Sequence, residues 1–156
     1  LLFVLACCIF LHFFCIFLLQ QKKKLTLDLQ MVVHVCCCCC CCCCCCCCCL
    51  LQAGQCMDNA IRVYSTEGRF TMAKNKEFKG HTVSGYACQV AFSPNSRFLA
   101  SGDEGGQLWM WDWRSTRRLK ILKGHTKGPL MGLKWHPLRP SCLVSCGWDG
   151  KIKIWD

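Results

Sequence analysis

One pattern occurs twice in this chain, as GHTVSGYACQVAFSPNSRFLASGDEGGQLWMWD at residues 80–112 and as GHTKGPLMGLKWHPLRPSCLVSCGWDGKIKIWD at residues 124–156. Each copy begins with Gly-His and ends with Trp-Asp, and His81 and His125 lie 44 positions apart. Between these landmarks, short apolar runs alternate with turn-forming residues, which is typical of antiparallel β-strands joined by tight turns. The repeat therefore predicts a four-stranded sheet that occurs more than once.

Gly-His and Trp-Asp landmarks at this period are typical of the blades of a β-propeller. The pattern predicts an all-β fold with blades at residues 80–123 and 124–156, and a first strand of the earlier blade at residues 86–92. Residues 55–79 match the end of a preceding blade, because their Asp-Asn pair aligns with the Asp-Gly turn of the last copy. We interpret residues 55–156 as about two and a half propeller blades.

The first 54 residues differ in composition from the repeats. Leu1 to Leu19 is apolar except for His12 and precedes three lysines, so this helix-like segment is long enough to cross a membrane. Cys36 to Cys49 is an unbroken cysteine run, which lacks the ligand spacing of a metal site. We interpret residues 1–54 as spurious or disordered, with few contacts to the blades. A membrane location is expected only if the apolar segment is genuine.

The basic residues belong mainly to the repeats. Of the formal net charge of +10, residues 55–156 contribute 16 Lys or Arg against 8 Asp or Glu. This balance favours acidic partners such as nucleic acid, and it suits a solvated surface equally well. The predicted partner-binding surface comprises six basic residues on or near the outer strands: Arg69, Lys74, Lys76, Arg114, Arg117 and Arg118. The alternative role of these charges is to protect exposed strand edges against pairing with other chains.

The repeated landmarks resemble those of the WD-repeat (WD40) family. The resemblance implies a hydrogen-bonded relay that joins the Gly-His histidine, a serine on the second strand, an aspartate in the next turn and the closing tryptophan. The third blade, residues 124–156, has all four: His125, Ser145, Asp149 and Trp155. The second blade, residues 80–123, has three: His81, Ser101 and Trp111. Gly105 takes the aspartate position there, so the second relay is expected to be weaker.

Serine, histidine and aspartate also form the catalytic triad of hydrolases. Here the same residue types recur at the repeat period, which a structural role explains and a single active site does not. Ser145 has no Gly-x-Ser-x-Gly surroundings, and the chain has neither a His-Glu-x-x-His zinc motif nor a phosphate-binding Gly-x-x-x-x-Gly-Lys loop. The sequence predicts no catalytic residue, no metal site, no cofactor and no small-molecule substrate.

Longer motifs narrow the resemblance. Residues 85–90 read GYACQV, residues 146–150 read CGWDG, and the chain closes with IKIWD. In this order they resemble the C-terminal blades of the pre-mRNA-processing factor 17 family of WD-repeat proteins. The resemblance implies that the chain is a fragment of a nuclear, non-catalytic scaffold of the spliceosome, acting around the second transesterification step with spliceosomal proteins and RNA as partners. A WD-repeat adaptor of a ubiquitin ligase or a signalling complex is the alternative.

The last predicted strand, residues 152–155, lies at the edge of the repeat region. A propeller blade packs between two neighbours, so we expect Trp135, Ile152 and Ile154 to face sequence outside these blades. An apolar strand with a free edge also pairs readily with other chains.

Overall fold

The computed structural model of this protein describes residues 36–37, 51–65 and 71–156. These residues form strands in three antiparallel sheets, and the described part of the chain contains no helix. The prediction of an all-β, propeller-type fold is therefore confirmed. Within these ranges no helix has the length and apolar character needed to span a membrane. The apolar segment at residues 1–19 lies outside the described residues.

The first sheet has four strands in sequence order, Cys36–Cys37 (β1), Leu51–Gln55 (β2), Ala60–Ser65 (β3) and Thr71–Lys79 (β4). It begins upstream of the predicted boundary, because β2 starts at Leu51 and β1 comes from the cysteine run. The backbone of β1 pairs with Gln52 and Ala53 of β2, so the described part of the cysteine run contacts the first sheet at two positions. A strand edge offers unpaired N–H and C=O groups to any extended segment, whatever its side chains.

The second sheet also follows sequence order, with strands Val90–Phe92 (β5), Phe98–Gly102 (β6), Gln107–Asp112 (β7) and Arg118–Lys123 (β8). The turn between β6 and β7 needs glycine at Gly106, where φ is +76°. A Cβ atom there would lie 2.4 Å from the carbonyl oxygen of His125, closer than any side chain can approach. This turn thus lies directly against the start of the third blade.

The third sheet contains the three strands Leu130–Trp135 (β9), Leu143–Gly147 (β10) and Ile152–Trp155 (β11). The strand β10 lies in the middle, so β11 has one paired edge and one free edge in this sheet. The backbone links this sheet to the second one, because Leu130 N–H donates to the carbonyl oxygen of Asp103 over 3.0 Å.

Two apolar layers hold the three sheets together. Strand β7 supplies both, because alternate side chains of a strand point to opposite faces. Trp109 and Trp111 pack with residues of the first sheet such as Ile61, whereas Leu108 packs with residues of the third sheet such as Leu133. The second sheet is therefore covered on both faces, as a blade between two neighbours should be.

The outer face of the third sheet is exposed. Ile152 and Ile154 on β11 are 74% and 72% exposed, and that they face sequence outside these blades stays a prediction. The same expectation is wrong for Trp135, which is buried in the layer between the second and third sheets. Trp135 is paired with Leu143, so its side chain shares the inner face of the sheet with that residue.

Candidate functional site

The third blade brings its four predicted relay residues together. Trp155 Nε1–H donates to Ser145 Oγ over 2.9 Å, and Ser145 Oγ lies 3.0 Å from His125 Nε2. On the other side of the imidazole, His125 Nδ1 lies 2.7 Å from Asp149 Oδ1, which also accepts a bond from the backbone N–H of Lys151. The geometry fits one directional chain, in which the indole donates to serine, serine to the imidazole, and the imidazole to the carboxylate.

The hydrogen-bonded relay contains the residue types of a catalytic triad, but its serine is not accessible to a substrate. Ser145 is 1% exposed, and its oxygen already accepts the indole N–H of Trp155. A nucleophile must reach a carbonyl carbon with an oxygen that is free to attack. The arrangement therefore fits an internal lock within the blade, which satisfies buried polar groups that would otherwise be costly.

The second blade uses its histidine differently. His81 is 1% exposed, and its Nε2 lies 2.7 Å from Oε1 of Gln55 on strand β2 of the first sheet. Because an amide oxygen only accepts, Nε2–H is the donor. The amide group of Gln55 donates in turn to the carbonyl oxygens of Cys56 and Ala60. His81 therefore links two neighbouring blades, and its Nδ1 has no partner in the described residues.

The other two predicted members of the second relay do not complete it. Ser101 Oγ donates to the carbonyl oxygen of Gly102, and Trp111 Nε1–H donates to the carbonyl oxygen of Lys79 over 3.3 Å. The expected contact between His81 and Ser101 is thus replaced by the contact with the first sheet. The Trp111 ring still packs edge-on against the imidazole, with ring centroids 5.1 Å apart.

A different carboxylate stabilises the second blade. Asp103, two positions before Gly105, accepts the indole N–H of Trp109 over 2.7 Å and the backbone N–H of Gln107 over 2.7 Å. This pair was not predicted from the sequence. The sequence did contain an indication of the bond from Asp103 to the turn, because an aspartate at the start of a turn commonly caps the backbone of that turn. Gln55 carried no comparable signal.

The electrostatics of the two histidine sites follow from these partners. Burial lowers the pKa of His81 to about 4, because no charged group compensates the imidazolium form. At Asp149 burial acts to raise the pKa, but the hydrogen bonds from His125 and the Lys151 backbone outweigh it and lower the pKa overall. The imidazole of His81 is therefore neutral at physiological pH.

The predicted basic surface divides into separate groups. Lys76 and Arg118 are engaged with tryptophan: Lys76 Nζ donates to the Trp113 carbonyl oxygen over 2.7 Å and lies 4.4 Å from its ring centroid. The Arg118 guanidinium lies 5.5 Å from the centroid of Trp109. Exposed side chains stand at four of the predicted positions: Lys74, Arg114, Arg117 and also Arg118. Arg69 lies outside the described residues.

A shallow cavity of about 80 Å³ lies beside β4 and is lined in part by Lys74 and Glu77. Sites for small molecules commonly measure about 300–1,000 Å³. In residues 51–65 and 71–156 no group of three metal-ligating side chains comes together.

Two segments of the chain, residues 73–112 and 116–156, match the family model described as WD domain, G-beta repeat. They cover more than half of the chain, and they include both repeats that begin with Gly-His. With blades that stack face to face and a histidine relay inside the last one, this chain belongs to the WD40 family.

Within this family the chain is similar to pre-mRNA-processing factor 17. It is 48% identical over 104 residues to the protein from Homo sapiens, a match that covers 67% of this chain and 18% of the relative. The protein from Saccharomyces cerevisiae is 36% identical over 102 residues, with 65% of this chain and 22% of the relative covered. The predicted resemblance is confirmed, and the chain spans about a fifth of the length of these relatives.

A solved structure supports the fold. The β-propeller domain of Cps50 (Swd1) from Myceliophteria thermophila superposes with a TM-score of 0.55. The superposition covers 69% of this chain and 35% of that chain, at 20% sequence identity. At this identity the likeness concerns the propeller architecture alone.

Proposed function

We propose that this chain forms part of a non-catalytic WD-repeat scaffold of the spliceosome. The scaffold acts in the nucleus during pre-mRNA splicing, around the second transesterification step, and contacts spliceosomal proteins and RNA. The observation that carries this proposal is the similarity to pre-mRNA-processing factor 17, which is 48% identical over 104 residues.

The geometry of the blades supports a scaffold role. The relay of His125, Ser145 and Trp155 lies inside the blade, where it stabilises the sheet and is closed to a substrate. The serine, histidine and aspartate of this relay are thus engaged with one another. What the blades present to a partner is turns and sheet edges, which suit the assembly of larger surfaces.

Depletion and add-back in a splicing-competent nuclear extract tests the proposal. Removing the protein that contains this chain should cause the free 5′ exon and the lariat intermediate to accumulate while ligated exons decline. The first two species are products of the first step that the second step consumes. Adding the wild-type protein back should restore ligation, measured by gel electrophoresis of a labelled pre-mRNA.

The pattern of intermediates distinguishes the outcomes. Accumulation of unspliced precursor would place the requirement before the first step and contradict the second-step role. Unchanged splicing after complete depletion would overturn the splicing function itself. An add-back protein that lacks residues 80–156 is the matched control, and it should fail to restore ligation.

A further inference from the structure

One end of the second and third sheets carries exposed arginines in its turns. In an antiparallel sheet, the turns β5–β6 and β7–β8 leave from the same end, and β9–β10 is their counterpart in the next blade. A backbone bond from Trp113 N–H to the Arg97 carbonyl oxygen, 2.8 Å long, joins the first two of these turns. We name the exposed arginines of these three turns the arginine end: Arg97, Arg114, Arg117 and Arg139.

The guanidinium groups of the arginine end form no ion pair within the described residues, although that of Arg97 lies 5.2 Å from the ring centroid of Phe98. The ion pairs in these ranges involve Arg62, Lys79 and His125. The carboxylates nearby have other hydrogen-bond partners. Asp112 Oδ1 accepts bonds from Ser115 N–H and Oγ–H, and Asp156 Oδ1 accepts one from the hydroxyl of Ser141.

The opposite end of the sheets has a different composition. The turns β2–β3, β6–β7 and β10–β11 contain no arginine; they carry one basic residue, Lys151, and four acidic residues: Asp58, Asp103, Glu104 and Asp149. The sheets thus separate charge along the strand direction. Protection of strand edges does not explain this separation, because that role requires charges on the edge strands and these arginines lie in turns.

We propose that the arginine end binds the phosphate backbone of single-stranded RNA. A guanidinium group presents a planar fork of N–H donors that matches a phosphate, and it keeps its charge at every physiological pH. Turns on two adjacent blades present several such forks along one end, as a chain of phosphates requires. That the polyanion is RNA, and not an acidic protein, rests on the proposed function in splicing.

The test compares two fourfold variants of the full-length protein with equal net charge. The first carries Arg97→Gln, Arg114→Gln, Arg117→Gln and Arg139→Gln. The control replaces four exposed lysines outside the arginine end: Lys120→Gln, Lys123→Gln, Lys127→Gln and Lys151→Gln. Binding of a labelled uridylate about 20 nucleotides long is measured by fluorescence anisotropy between about 50 and 200 mM salt.

We expect the arginine variant to bind uridylate at least about 10-fold more weakly than the wild type. The slope of log affinity against log salt should decrease by about 0.7 for each lost phosphate contact. The lysine control should stay within about twofold of the wild type. The double variant Arg114→Gln and Arg117→Gln should show about half the change in slope, and thermal melting verifies that each variant is folded.

Three outcomes would overturn the inference. These are equal losses in the two fourfold variants, an arginine variant that binds like the wild type, and displacement of RNA by polyglutamate at equal charge concentration. The last outcome would assign the surface to acidic proteins. Intact splicing with no RNA affinity would overturn this inference alone, whereas RNA binding without any effect of depletion on splicing would overturn the proposed function alone.

Discussion

The second and third blades place a histidine at the same repeat position and use it in different ways. In the third blade, both imidazole nitrogens of His125 find their partners within one repeat, in Ser145 and Asp149. In the second blade, His81 bonds to Gln55 of the preceding sheet, and one ring nitrogen has no partner among the described residues. Replacing one aspartate by Gly105 thus accompanies a change from a lock within a blade to a link between blades.

The second blade compensates with a pair that the third blade lacks. Asp103 bonds to the indole of Trp109, so a carboxylate still ties the turn to strand β7, although it does so two positions earlier. At the corresponding place in the third blade the turn carries Gly147, and Lys153 stands in the position of Trp109. The difference teaches that both repeats keep the histidine and the serine, whereas the position of the carboxylate and the partner of the histidine change from one blade to the other.

The largest contrast is expected at the two serines. Ser145→Ala removes the partner of both Trp155 Nε1 and His125 Nε2, and each orphaned buried group costs about 1–3 kcal/mol. Ser101→Ala removes a bond to an adjacent carbonyl oxygen only, so its cost should not exceed about 1 kcal/mol. Urea unfolding of the two variants measures the difference, and equal losses would mean that both blades depend on their serine in the same way.

Acid should weaken the second blade through His81. Its pKa is about 4 in the folded protein against an ordinary 6.5, so the unfolded chain binds the proton more readily between these values. Stability linked to His81 is therefore fully present above pH 6.5 and is lost as the pH falls towards 4, by at most about 3 kcal/mol. His81→Gln should flatten the pH dependence of the free energy of unfolding in this window. An identical profile in the variant would contradict the buried, neutral imidazole.

The link between blades should appear as coupling between Gln55 and His81. In a double-mutant cycle of Gln55→Leu and His81→Phe, the expected interaction energy is about 0.5–1.5 kcal/mol. Gln89→Leu is the matched control, because Gln89 accepts from the Leu133 backbone at the other blade interface. Its effect should add to that of His81→Phe within error. Coupling of equal size in both cycles would indicate a general loss of packing and not a specific bond.

The smallest stability effect is expected from restoring the missing carboxylate. At Gly105 a Cβ atom would meet its nearest neighbour, Asp103 Oδ1, at 3.5 Å, which is an ordinary contact. Gly105→Asp should raise the pKa of His81 well above 4, because a nearby negative charge favours the imidazolium form. The change in unfolding free energy should stay below about 1 kcal/mol. An NMR titration of the imidazole measures the shift, Gly105→Asn should leave it near its present value, and no shift in Gly105→Asp would contradict the equivalence with Asp149.

Much of the strand pattern could be predicted from local sequence. The strand predicted at residues 152–155 matches β11. The Asp149-Gly150 turn marks where this strand begins, and the Trp-Asp pair marks where the repeat ends. The prediction fails at β5, which was expected to start at Tyr86 and begins at Val90. Gln89 explains the failure, because its N–H donates to the Met131 carbonyl oxygen of the neighbouring blade and not to its own sheet.

The predicted basic surface likewise depends on contacts that the local sequence does not predict. Lys76 and Arg118 look like free charges in the sequence, yet each lies against a tryptophan ring. Arg97 and Arg139 were not predicted, because each is isolated in the sequence. They join Arg114 and Arg117 only where the antiparallel turns of two blades meet at one end of the sheets.

The sequence by itself determined the repeat, the β-class, and the relay of four residues that includes His125, because these depend on short-range turn chemistry and on positions within one blade. Only the tertiary structure decided that His81 bonds to Gln55, 26 positions earlier, and that four arginines share one end. The physical reason is that such contacts form across stacked sheets. Which residues meet across the sheets depends on how apolar side chains such as Ile61, Trp111 and Leu133 pack between them. No local sequence pattern predicts that packing.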